Sequence, residues 1–256
     1  VIFIVSDLHL GKQPSSDTDS LSELERCIHA TDATEVIFLG DVFDAFIESD
    51  RHIPTIVREW GTLAGRLKDE GIRVRYLMGN HDRWHRRFVT GIIGETPARD
   101  HLLVQCNGGF VHLEHGDRGQ NHRTLTRAAR WLSDQSWVHR LYTTMLPFGG
   151  AQALAAAVSR RFASFEPNPR TVQALREHAS RQLRSSEALG VVMGHCHQVG
   201  LFDLSAETGR HAWYANSGDW YENRSFVLVG SNEVQVCCWR EGERVTLSTL
   251  STNPAD

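Results

Sequence analysis

Apolar and polar positions follow two periods along the first part of the chain. Val1–Ser6 is a continuous apolar run that reads as the first core strand. Ser20–Ala30 has helical spacing, with Leu21, Leu24 and Ile28 on one side. Glu35–Leu39 is a second strand. Pro54–Lys68 is a second helix with Ile56, Leu63 and Leu67 as core contacts and Gly71 past its end. Arg73–Met78 is a third strand. Strands alternating with helices predict a mostly parallel sheet with helices on its faces. His101–Gln105 and Phe110–Glu114, joined by Cys106-Asn107-Gly108-Gly109, predict a hairpin.

The chain then changes character. From Arg118 to Ser186 it is rich in arginine and free of lysine, with helices predicted over Thr124–Met145, Ala151–Phe165 and Thr171–Ser186. Strand character returns at Gly190–Gly194. It continues through Ala212–Ala215, Ser225–Val229, Val234–Trp239 and Val245–Leu250, with turns at Asn232 and Glu241-Gly242-Glu243. The expected organisation is a core formed by residues 1–117 and 187–251, a helical insertion over 118–186, and a frayed tail over 252–256.

A chain of 256 residues has room for one sizeable domain with an inserted part. Its 41% hydrophobic and 23% charged residues are ordinary for a soluble globular protein. No run approaches the roughly 18–20 apolar residues of a membrane-spanning helix. Val1–Val5 is too short for a secretory leader and lacks a basic flank. The five cysteines are odd in number and lack C-x-x-C spacing, which suits a reducing cytoplasm. Charge changes the picture more. Arg118 to Arg184 holds eleven arginines against Asp134, Glu166 and Glu177, a charge of +8 within a chain of net −4. Such asymmetry points to an anionic partner for that part of the molecule.

The candidate chemistry lies where strands end. Asp7-x-His9, Gly40-Asp41-x-x-Asp44, Gly79-Asn80-His81-Asp82, His115-Gly116-Asp117 and Gly194-His195-x-His197 follow one another in that order. Asp-x-His and His-x-His put side chains at i and i+2 on one face of an extended segment, while Cys196 between two histidines points away as a small buried thiol. Asp7, His9, Asp41, Asn80, His115, His195 and His197 offer carboxylate, imidazole and amide donors, which suit divalent first-row metals. Seven donors exceed one tetrahedral site. With one shared carboxylate they suit two ions roughly 3.5–4 Å apart. Two such ions, two carboxylates and a bridging hydroxide leave a positive core that attracts a phosphate oxygen. Singly, His115 reads as a core histidine and Gly40-Asp41 as a turn; the weight rests on the set.

That series resembles the calcineurin-like metallophosphoesterase superfamily over most of the chain. The resemblance implies an α/β sandwich of two mixed β-sheets flanked by helices. It implies one metal held by Asp7, His9, Asp41 and His197 and another by Asp41, Asn80, His115 and His195. It also implies that His81, not a ligand, stabilises or protonates the departing oxygen, so that His81, Asn80 and Asp41 are the catalytic set. Asp44 and Asp82 are expected to orient histidines. The cofactors implied are two divalent ions, manganese first, with iron, zinc or magnesium as alternatives.

Within the superfamily the chain is similar to UDP-2,3-diacylglucosamine diphosphatases of lipid A biosynthesis. The likeness rests on Ser6-Asp7-Leu8-His9-Leu10-Gly11, Gly40-Asp41-Val42-Phe43-Asp44, His115-Gly116-Asp117 and the helical insertion. It implies a nucleotide-linked lipid substrate. Arg83, Arg118, Asn121 and His122 are candidate substrate contacts. A peripheral contact through residues 124–165 with the inner face of the plasma membrane fits their apolar and basic composition. Two departures stand out. The best-known diphosphatase branch has arginine in place of His81, and its sequence after His-Gly-Asp differs from Arg118-Gly119-Gln120-Asn121. A histidine there also suits a phosphomonoester or phosphodiester, whose alkoxide leaves more easily with a proton donor. A soluble phosphatase or phosphodiesterase and a non-catalytic scaffold are the alternatives. The basic surface is confined to one insertion, so no nucleic-acid partner is expected.

Overall fold

Two sheets lie back to back because the first strands are apolar on both faces. The computed structural model describes residues 1–44, 46, 48, 53–82, 87–119 and 168–252. In chain order they form β1 (Ile2–Val5), α1 (Pro14–His29), β2 (Glu35–Leu39), α2 (Thr55–Asp69), β3 (Arg73–Leu77), α3 (Arg87–Ile93), β4 (Leu102–Cys106) and β5 (Gly109–Leu113). After residue 168 come α4 (Pro169–Ser185), β6 (Gly190–Met193), β7 (Val199–Asp203), α5 (Ser205–Thr208), β8 (Trp213–Ser217), β9 (Ser225–Val229), β10 (Glu233–Arg240) and β11 (Glu243–Ser251).

The first sheet has the order β11-β10-β9-β1-β2-β3 and the second β4-β5-β6-β8-β7. β1, β2 and β3 are parallel, whereas β9, β10 and β11 are antiparallel. The mostly parallel expectation therefore holds for the helix-alternating part and fails for the β-rich end, where short hairpin turns force antiparallel pairing. The sandwich of two mixed sheets implied by the resemblance is what the chain forms.

Side-chain alternation assigns the layers. On β1, Ile4 enters the cluster between the sheets with Ile37, Leu39, Leu77, Val192 and Val227. Phe3 and Val5 point the other way, joining Leu24, Ile28, Trp60, Leu63 and Leu67 of α1 and α2. On the far side, Val191 and Met193 of β6 meet Leu175, Ala179 and Leu183 of α4. The result is a helix–sheet–sheet–helix stack. At about 25 cal/mol per Å² of apolar surface, each buried large side chain contributes on the order of 2 kcal/mol. No helix among the described residues is long and apolar enough to cross a membrane.

Several boundaries depart from expectation. α1 starts at Pro14 rather than Ser20; proline at N1 and Asp17 in the first turn are helix-start signals. Asp17 Oδ2 accepts a 2.8 Å bond from the Gly11 N–H, tying the helix to the loop after β1. α3 was not expected. Its seven residues are held from outside: Glu48 accepts from the Arg87 and Phe88 N–H groups, and Val89 and Ile93 are buried. β7 and the short α5 were also missed. The turns at Asn107-Gly108 and Glu241-Gly242 close the hairpins β4–β5 and β10–β11. Glu241 and Gly242 both have φ above zero, as a two-residue primed turn requires. The two insertion helices expected over Thr124–Met145 and Ala151–Phe165 lie outside the described residues. The third is α4, capped by the Asn168 side chain on the Arg170 N–H.

Glu114, just past β5, faces α4. Its Oε1 lies 2.7 Å from His178 Nε2 and its Oε2 lies 3.8 Å from His112 Nε2. Burial raises the Glu114 carboxyl pKa, but the two imidazoles outweigh it and bring it to about 2 from an ordinary 4.5. A carboxylate with a depressed folded pKa adds stability above its unfolded value and loses it as pH falls through the folded one. Glu114→Gln is therefore expected to lower the urea midpoint above about pH 4.5, with the gap from wild type closing towards about pH 2. A gap that stays constant across that range would remove the role of the charge.

Candidate metal centre

The carboxyl ends of β1, β2, β3, β5 and β6 meet at one end of the sandwich, and each loop that leaves them carries a piece of one polar cluster. The loops are stitched to one another through their backbones. The Asp7 N–H donates to Gly40 O, the His9 N–H to Asp41 O and the Leu10 N–H to Val42 O. The Asp44 N–H returns to Leu10 O, and the Gly194 N–H to His115 O. Asp7, His9, Asp41, His195 and His197 all have φ between 46° and 68°, the left-handed region that side-chain-bearing residues rarely adopt. Such conformations cost roughly 1–3 kcal/mol each and persist where the surroundings over-determine them. Here they turn five side chains from three strand ends towards a common space.

Close approach explains the motif glycines. A Cβ on Gly79 would lie 2.1 Å from Asp41 Oδ1, and one on Gly194 would lie 2.5 Å from Asp7 Oδ2. Only a bare backbone lets these loops pass so near the carboxylates.

Three overlapping groups of donors arise, each with its atoms within 4.8 Å of one another: Asp7, His9 and His197; Asp41, His115 and His195; and His9, Asp41 and His81. His197 Nε2 lies 3.3 Å from Asp7 Oδ1, and His115 Nε2 lies 3.3 Å from Asp41 Oδ2. His9 Nε2 is 3.8 Å from Asp7 Oδ1. Two donors each about 2.1 Å from one ion and about 90–110° apart would be about 3.0–3.4 Å from each other. Asp7 Oδ1, Asn80 Oδ1 and His115 Nε2 are buried and make no aligned hydrogen bond, an expensive arrangement unless a cation meets them. The donor set is all nitrogen and oxygen. On these grounds the residues fit divalent metal ions.

Electrostatics agree. Burial alone would raise both carboxyl groups. His115 beside each, with His197 at Asp7 and His81 at Asp41, holds both below the ordinary carboxylate range, so both are ionised. Burial, then the like charge of His115, pulls His195 down to about 4, leaving the neutral imidazole that a metal needs. The His115 Nδ1–H donates to Leu39 O at 2.9 Å, which turns Nε2 towards Asp41.

The remaining candidates fall as follows. His81 stands beside the donors, its Nδ1–H donating to Asp44 O at 2.6 Å and its Nε2 3.9 Å from Asp41 Oδ2. Asp44 meets a second imidazole, with Oδ1 3.6 Å from His9 Nδ1. Asp82, expected to orient a histidine, grips backbone. Its Oδ2 accepts from the Asp41 N–H at 2.5 Å and the Gly79 N–H at 3.1 Å, clamping two ligand loops together. Arg118 is turned to Asp100 in a surface ion pair. Arg83, Asn121 and His122 lie outside the described residues. Cys196 is buried against the α4 face, away from the donors. Trp220 is fully buried, its Nε1–H donating to Ser20 O, so it is a core residue. Sequence reasoning missed its neighbour Tyr221, whose ring stands edge-on to His9 with centroids 6.2 Å apart. No spacing signal marks an aromatic residue brought in by a distant loop.

Asp82→Ala leaves two buried N–H groups unsatisfied and frees the loops that carry Asp41 and Asn80. Manganese affinity, measured by calorimetry on the full chain, is expected to fall about 10–100-fold with the circular dichroism spectrum retained. Unchanged affinity would show that the clamp does not position the donors.

Comparison with known proteins places this arrangement. A family model, calcineurin-like phosphoesterase, matches residues 1–223. A UDP-2,3-diacylglucosamine hydrolase of Porphyromonas gingivalis is 28% identical over 166 residues, covering 63% of this chain and 58% of the relative's length. Proteins of the same name from Salmonella arizonae and Neisseria gonorrhoeae are each 26% identical. They cover 91% and 88% of this chain and 96% and 92% of their own. Among solved structures, a dimetal phosphatase from Danio rerio superposes with a TM-score of 0.52 at 13% identity, covering 99% of this chain and 98% of that one, a likeness of fold. The chain belongs to the calcineurin-like phosphoesterase family and is a metal-dependent phosphohydrolase.

Proposed function

We propose that this chain is a dinuclear-metal hydrolase that cleaves the diphosphate of UDP-2,3-diacylglucosamine, giving UMP and the lipid-linked sugar 1-phosphate. The observation that carries the hydrolase reading is the convergence of ionised, buried donors with 3.3 Å spacings at the ends of separate strands. The substrate is supported by relatives of that name that match over most of both chains. One ion is assigned to Asp7, His9, Asp41 and His197, the other to Asp41, Asn80, His115 and His195, with manganese the first choice. Residues 118–186 are assigned to substrate contact, with 124–165 meeting the inner face of the membrane from the cytoplasmic side. Their +8 charge between Arg118 and Arg184 supports this.

Two divalent ions bound there supply a Lewis acid for a phosphoryl oxygen and make hydroxide available near neutral pH. Asp41 holds both halves of the donor set in register through one carboxylate. Asn80 presents its buried Oδ1, a neutral donor that adds no charge to repel the substrate. His81 handles the proton. Its Nδ1–H is committed to Asp44 O, so Nε2 is the atom available to the departing oxygen. Burial pulls the His81 pKa down, but Asp41 and the Asp44 carbonyl outweigh it and raise it.

A second reading rests on the same residue. A proton donor at His81 suits a phosphomonoester or phosphodiester with an alkoxide leaving group, and such a soluble enzyme would use the insertion as a cap. A substrate panel decides between them. UDP-2,3-diacylglucosamine, its unacylated analogue, nitrophenyl phosphate and bis-nitrophenyl phosphate are compared with manganese. Release of UMP, faster from the acylated substrate, is expected. Preference for a nitrophenyl ester would move the assignment to the second reading. Asp41→Ala is expected to lose both ions and all turnover. His81→Ala should slow turnover about 10²–10⁴-fold with two ions still bound. Loss of an ion from the His81 variant would make it a ligand instead.

A further inference from the structure

One side of the centre carries chemistry that the hydrolytic machinery leaves unused. Beyond His9, the ring of Tyr221 stands at 86° to the imidazole, and Lys12 Nζ lies 5.0 Å over the Tyr221 ring centroid. Both residues are fixed to the ligand loop itself. The Tyr221 N–H donates to Asp7 O at 3.2 Å, and the Lys12 N–H donates to His9 O at 3.2 Å. Asp219 braces the Tyr221 loop from beneath, accepting from the Glu222 N–H at 2.5 Å and the Asn223 N–H at 3.1 Å. Trp220 anchors it in the core.

This is a built feature. Tyr221 and Lys12 are only half-buried, whereas Trp220, one residue away, is fully enclosed. A rigid ring at the rim costs little further ordering when it binds. Its ring centroid lies 6.2 Å from that of His9, at the edge of the donor cluster. An aromatic ring accepts a flat heterocycle of any sequence by stacking. An ammonium on the same rim is a compact point charge suited to a phosphate oxygen.

We infer that Tyr221 and Lys12 form the nucleotide subsite of this enzyme, the ring stacking on the base and the ammonium meeting the phosphate that stays with the nucleoside. The inference deepens the nucleotide-diphosphate reading given above and rests on it. It makes Tyr221 a specificity residue: it discriminates nucleotide from plain sugar phosphate and takes no part in bond breaking.

The test is calorimetric titration of the manganese-loaded full chain with UMP, ribose 5-phosphate and inorganic phosphate. Wild type should bind UMP about tenfold more tightly than ribose 5-phosphate, the increment of one stacked base. Tyr221→Leu should abolish that ratio while inorganic phosphate affinity and metal content stay as in wild type. Tyr221→Phe should restore it. Lys12→Met should weaken UMP and ribose 5-phosphate alike, about tenfold, leaving their ratio in place. Equal wild-type affinity for UMP and ribose 5-phosphate, or an unaltered ratio in Tyr221→Leu, overturns the subsite. The substrate reading fails separately. A stacking increment lost with Tyr221 in a protein that does not hydrolyse UDP-2,3-diacylglucosamine keeps the subsite and discards that substrate. Hydrolysis with an unaltered ratio does the reverse.

Discussion

Two carboxylates removed from water and ringed by imidazoles are the constraint on which the rest of the structure depends. Asp7 and Asp41 are buried and ionised, and each meets an imidazole nitrogen at 3.3 Å. A buried charge is expensive unless paired. The fold does not relieve this by spreading the donors out. It holds five donor-bearing residues in left-handed backbone and fastens their loops to each other, so the cluster is ready before any ligand arrives. Preorganisation of this kind lets divalent cations bind with little rearrangement.

The sandwich serves that end. Strands buried on both faces cannot shift register without exposing apolar side chains, so their carboxyl ends are fixed relative to one another. Parallel pairing of β1, β2 and β3, and of β5, β6 and β8, delivers those ends to the same side. Asp82 adds a lock between the second and third loops, and Ser6 adds one beneath Asp7, its hydroxyl donating to Asp7 Oδ2 and touching Ser217 Oγ at 2.7 Å.

Much of this was legible in the residues. The alternation of strand and helix, the Asn-Gly and Glu-Gly turns and the motif order all depend on local chemistry, and they gave the core and the donors that meet. What was not legible depends on contacts at a distance. α3 has weak local propensity and exists because Glu48 caps it and α2 receives Phe88 and Ile92 at Gly61. β7 has four half-buried residues followed by the exposed Asp203, and no clean period. Asp82 carried a signal as part of Gly-Asn-His-Asp, but not which partner it would choose. Tyr221 carried none, since its neighbourhood to His9 spans two hundred positions.

The separation of those positions bears on how the molecule assembles. The donors come from loops spread between residues 7 and 197, and the strands that carry them pair mainly in parallel, so no early local structure can contain a complete centre. Chains dominated by such remote contacts fold slowly, because loop closure precedes any reward. A cation added to a nascent or partly folded chain therefore finds fragments of the site, two or three donors at most. The full donor set therefore exists only once loops far apart in the chain have closed on one another.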